Sequence, residues 1–119
     1  LLVRHVDLYL MPPMVVLARP GVEDANARRA VEDLLDGVAM LDGLLKGPRY
    51  ALCDRLTIAD CALAPALFAI RVTAERLGMD LIEAGSLTET YSRLSGRDPH
   101  VGRVIEEMEE GLRHLVRLG

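Results

Sequence analysis

Aromatic side chains are scarce: the 119 residues hold no tryptophan, one phenylalanine and three tyrosines, 3% in all. Half of the residues are nevertheless apolar, so any core must be built from Leu, Val, Ala, Ile and Met, a palette that suits helices better than a β-sandwich. Cysteine is nearly absent too. Cys53 and Cys61 are too few for a disulfide framework, and no third or fourth ligand completes a zinc pattern with them. Reduced thiols in a cytoplasmic protein are the expectation. His5, His100 and His114 fall on three separate elements with no metal-ligand spacing between them. There is no basic stripe either: 18 acidic against 14 basic side chains leave a net charge of −4, which speaks against direct nucleic-acid binding. Finally, no long apolar run exists. The greasy first 18 residues are interrupted by Arg4, His5, Asp7 and the Pro12-Pro13 pair, short of the ~20 residues that a membrane span needs. The chain opens on Leu1 rather than Met, which hints that it is a piece of something longer.

What is present is helical periodicity. From Leu1 to Leu10 apolar residues occupy nearly the whole circumference of a helix, which must kink or break at Pro12 and Pro13 before Met14 to Ala18 continue it. Arg19-Pro20-Gly21 reads as a turn. Between Val22 and Lys46 one apolar stripe (Ala27, Ala30, Val31, Leu34, Leu35, Val38, Leu41, Leu45) runs opposite Glu32, Asp33, Asp36 and Asp42. Gly47-Pro48 ends this helix, and Arg49 to Arg55 form a connecting loop.

Leu56-Thr57-Ile58-Ala59-Asp60-Cys61 predicts a helix start. Thr57 and Asp60 have capping-box spacing, and Leu56 can staple against Cys61. Loss of either cap residue to Ala should cost about 0.5 to 2 kcal/mol. The helix that follows, to about Leu77, is apolar on almost every side and should be the buried centre of the fold, bent at Pro65. Ser86-Leu87-Thr88-Glu89 repeats the box ahead of a short helix to about Leu94. Asp98-Pro99 opens a last helix to about Val116, with Val101, Val104, Ile105, Met108, Leu112 and Leu115 inward and Glu106, Glu107, Glu109 and Glu110 in water. Five helices and no strand predict a single all-α bundle over residues 1–119.

Taken together, the acidic amphipathic helix, the Gly47 to Asp54 loop (Gly-Pro-x-Tyr-x-Leu-x-Asp) and Leu56-Thr57-Ile58-Ala59-Asp60 opening an apolar helix resemble the C-terminal domain of the glutathione transferase superfamily. The closing segments Tyr91 to Leu94 and Arg97 to Val101 extend the likeness over essentially the whole chain. Within the superfamily, Asp60 to Leu67, Arg97-Asp98 and Arg117-Leu118-Gly119 look most like the stringent starvation protein A branch, whose members regulate RNA polymerase rather than catalyse. Pro12-Pro13 departs from that pattern.

The resemblance implies a thioredoxin-like domain, absent from this chain, that would hold glutathione and activate its thiol. No residue here is expected to be catalytic, to bind a cofactor or to bind a metal. The helical domain would supply scaffold, a dimer contact and one wall of a hydrophobic substrate pocket, with Tyr9, Met11 and Met14 as the candidate wall. The blander expectation is that these three pack against the other domain. For Asp60 a capping role outweighs a catalytic acid. Cys53, near Arg49 and Arg55, has no activating His or helix terminus. The surplus of apolar surface on the first and central helices calls for a partner, either the thioredoxin-like domain, a second subunit or RNA polymerase.

Overall fold

A computed structural model describes the chain except residues 1, 20, 22, 49, 53, 54, 96 and 119, and the side chains up to residue 111. Every regular element among the described residues is helical. α1 (Leu2–His5), a π-helical turn (Val6–Leu10) and α2 (Met11–Ala18) follow one another without interruption, so they act as one rod. α3 (Asp24–Leu44), α4 (Ile58–Leu77), α5 (Leu87–Ser95) and α6 (Pro99–Leu118) complete a bundle of five rods.

The proline pair does not break the first rod as its sequence suggests. Instead the strain is taken up one turn earlier: the Met11 N–H reaches back to the Val6 carbonyl across a π turn, and α2 restarts with the prolines in its opening turn. There the missing N–H groups cost no intrahelical bond to α2.

α4 runs through the middle, packed against every part of the first rod and against α5 and α6. Its inner surface of Ala59, Leu63, Ala64, Ala66, Leu67 and Ile70 is buried. Leu10 of the π turn and Leu34 and Leu41 of α3 close the core with it, all three fully buried. α4 ends at Gly78, whose φ of 67° is the left-handed conformation that a side chain resists. The Gly78 N–H bonds the Glu75 carbonyl and the Met79 N–H the Ala74 carbonyl, the Schellman pattern.

Two helix starts use partners that are far apart in sequence. Asp42, read as part of the wet face of α3, accepts both the N–H (2.8 Å) and the hydroxyl (3.0 Å) of Thr88 and so ties α3 to the first turn of α5. In the box at Ser86, Ser86 Oγ accepts the Glu89 N–H at 3.1 Å, while Glu89 Oε1 accepts from Gly85 rather than from Ser86. Asp98 Oδ1 accepts the N–H groups of His100 and Val101 at the start of α6. Val104 departs from the inward set expected for α6: it is 43% exposed, and only Val101 among the described members is buried. Leu112, Leu115 and the His114 ring lie outside the described side chains.

Candidate functional site

The first rod and α3 run antiparallel, joined by a turn in which Gly21 has a φ of 72°. They come into close contact at Gly37. A Cβ there would lie 2.8 Å from the Tyr9 carbonyl oxygen and 3.1 Å from Leu10 Cδ2, so only glycine allows this crossing. The buried His5 fixes the same point, its Nε2–H donating to the Gly37 carbonyl at 2.8 Å, and its ring lies 5.0 Å from that of Tyr9.

Beside this crossing the rods diverge into a groove of about 830 Å³. Pro12, Pro13 and Val16 line one side; Asp33, Asp36 and Met40 line the other. Tyr9 also lines it and is 49% exposed. The structure does not bring the three candidate wall residues to one cavity. Met14 packs against the core, and Met11 is exposed outside the lining. Asp33 and Asp36, read from the sequence as a solvated face, are the acidic lining that sequence reasoning missed. The register of α3 against the first rod would have shown them.

A second constellation surrounds Asp60, which is fully buried. Its Oδ2 accepts the Thr57 N–H at 3.0 Å and the Thr57 hydroxyl at 3.4 Å, in a capping-box arrangement. Its Oδ1 accepts the Ala51 N–H and the Tyr91 hydroxyl, each at 2.8 Å. Every acceptor position of the carboxylate is thereby used, and none is left for a substrate. Burial first, then the hydrogen bond to Asp60 and the negative charge it carries, push the Tyr91 phenol far above its ordinary value of 10.0. Leu56 is half-buried, whereas Cys61 is an exposed free thiol. Arg49 and Cys53 lie outside the described residues.

Among the described residues no group of three His, Cys, Asp or Glu side chains is placed to hold a metal ion. No helix among them is long and apolar enough to cross a membrane.

Residues 24–96 match the family of the glutathione S-transferase C-terminal domain. The chain belongs to that family. No curated protein matches the chain. The glutathione S-transferase match is to the domain family as a whole and does not reach the stringent starvation protein A branch. It takes in α3, α4 and α5 and the whole Asp60 network, while the first rod and α6 lie outside the matched stretch.

Proposed function

We propose that this chain is the helical half of a glutathione transferase-like protein, supplying scaffold, a dimer contact and one wall of a hydrophobic substrate pocket, without catalysing alone. The observation that carries this reading is the half-open face of the first rod. Leu8, Tyr9, Met11 and Val15 are each more than 40% exposed on it, a concentration of apolar surface that an isolated bundle does not need. Thiol activation and glutathione binding belong, on this reading, to a thioredoxin-like domain that would carry the strands, since every regular element among the described residues is helical. No step of that chemistry is assigned to this chain. A cytoplasmic location goes with the reading and is supported by the free, exposed Cys61.

Blotting source cells with an antibody against this chain tests the two-domain architecture. A band of roughly twice this chain's mass is expected, as two domains of ordinary size require. Conjugation of a chloronitrobenzene dye to glutathione should then appear when a thioredoxin-like domain is supplied with the chain. A band at the mass of the chain, with no conjugation under any supplementation, overturns the reading.

A second reading, a regulatory module that binds RNA polymerase, rests on α6, where Glu106, Glu107 and Glu110 stand exposed on one side of the helix. Recovery of polymerase subunits in a pull-down, lost when these glutamates are replaced by Gln, would support it.

A further inference from the structure

Ser92 is a polar side chain that its own helix does not use. It lies in the middle of α5, only 9% exposed, and its hydroxyl has no hydrogen-bond partner among the described residues. No orphaned side-chain atom among those residues is sealed from solvent. The Ser92 hydroxyl therefore opens onto the cavity of about 330 Å³ that the residue lines between α4, α5 and the loop joining them. A hydroxyl held in this way keeps a donor that only a ligand or solvent can use.

Arg71 and Glu75 of α4, Asp80 of the loop, and Glu89 and Arg93 of α5 line the same cavity. Each arginine stands one turn from an acid of its own helix, yet none of these five forms an ion pair among the described residues. Their order along the chain sorts them by charge. The loop leaves α4 after Leu77 and enters α5 at Leu87, so Glu75, Asp80 and Glu89 gather toward the loop. Arg71 and Arg93 lie one turn farther along their helices, about 6 Å, with Ser92 next to Arg93. Ala74 and the buried Leu81 supply apolar lining.

We propose that this cavity binds a dipeptide in its zwitterionic form. The peptide carboxylate accepts from the Ser92 hydroxyl and from the Arg71 and Arg93 guanidiniums. Its ammonium donates to the Glu75 and Asp80 carboxylates and to the Glu89 oxygen that Gly85 leaves free. The spacing selects the length: two residues of extended chain reach at most about 7 Å, the span of one helical turn between the charges. A lone anion would meet three carboxylates and a lone cation two guanidiniums, so a ligand with both charges is the one that the lining complements. The cavity shares no residue with the groove beside the first rod.

The test is an amide-resolved NMR titration of the 119-residue chain with Ala-Leu, beside acetyl-Ala-Leu, which lacks the ammonium, and Ala-Leu amide, which lacks the carboxylate. Ala-Leu should bind at least about tenfold more tightly than either, the size of a lost charge-assisted bond. Shifts should concentrate in residues 71–75, 80–82 and 89–93, and added salt should narrow the difference. Arg71→Gln with Arg93→Gln should leave Ala-Leu no tighter than its amide. Ser92→Ala should weaken Ala-Leu about five- to tenfold. Because this hydroxyl has no partner in the fold and alanine is the better helix former, the Tm should hold or rise, and the fall in affinity is then no folding defect. Equal binding of the three peptides, binding of none, shifts confined to other helices, or an unaltered affinity in Ser92→Ala overturns the proposal. Such a result leaves the two-domain reading standing, since that is decided by the blot and the conjugation assay.

Discussion

The Tyr91 hydroxyl donates to Asp60 Oδ1 at 2.8 Å from a ring that is itself fully buried, joining the middle of α5 to the first turn of α4 across 31 residues of sequence. The same oxygen accepts the Ala51 N–H, so one carboxylate holds a loop, a helix cap and a second helix together.

Asp60→Ala should therefore cost more than a cap. Removing the carboxylate strands a buried hydroxyl and a buried backbone N–H as well, and about 3 to 5 kcal/mol of stability should be lost. Thr57→Ala should stay within about 0.5 to 2 kcal/mol. Urea denaturation of the two variants checks the ratio, and equal losses would show that the Ala51 and Tyr91 bonds contribute nothing.

Tyr91 sets the alkaline limit of the fold. Its phenol holds the proton in the folded state well beyond the ordinary value of 10.0. The unfolded chain releases that proton, so the stabilisation is complete below about pH 10 and is lost as the pH rises above it, by about 1.4 kcal/mol per pH unit. Thermal denaturation followed from about pH 9 to 11 should show this slope in the native sequence, and Tyr91→Phe should flatten it while starting from a lower stability at neutral pH.

Gly37→Ala tests the crossing of the first rod and α3. Helix propensity alone favours alanine by about 1 kcal/mol. The added Cβ would stand 2.8 Å from a backbone oxygen, which cannot swing aside as a side-chain end can. A net loss of about 1 to 3 kcal/mol is expected, and a more stable variant by calorimetry would mean that the rods separate easily.

Asp42→Ala removes the acceptor for two Thr88 donors. A loss of about 1 to 2 kcal/mol should follow, with hydrogen exchange accelerated most in the first turn of α5. Uniform acceleration across all helices would argue against a local role.

The parts of this fold that were legible in the sequence are those whose partners lie within a turn or two. Thr57 and Asp60 are three residues apart, so their pairing is visible as spacing, as are the Pro99 start and the Gly78 stop. The other two partners of Asp60 lie 9 and 31 residues away and leave no periodic trace. Asp42 looks like any other acid on a wet face, because its partner belongs to a helix whose docking the sequence does not announce. The candidate groove suffers most from this. Tyr9 could be picked out as an exposed ring on a greasy helix, but Asp33 and Asp36 join it only through the antiparallel register pinned at Gly37. Met14, which the family resemblance puts on a pocket wall, packs partly buried against the core. Helical periodicity also places Val104 inward, yet α6 packs chiefly on α4 and leaves that flank open to solvent.

The partners of Asp60 lie at three very different distances along the chain. Its bonds to Thr57 need only one turn of chain to form, the bond to Ala51 needs a short loop to close, and the bond to Tyr91 requires α4 to be complete and α5 to arrive. Loop closure grows more costly with the length of chain enclosed. Loop-closure cost alone therefore predicts that the Tyr91 bond is the last to close, so that the core beneath Asp60 would dry only once α5 has docked.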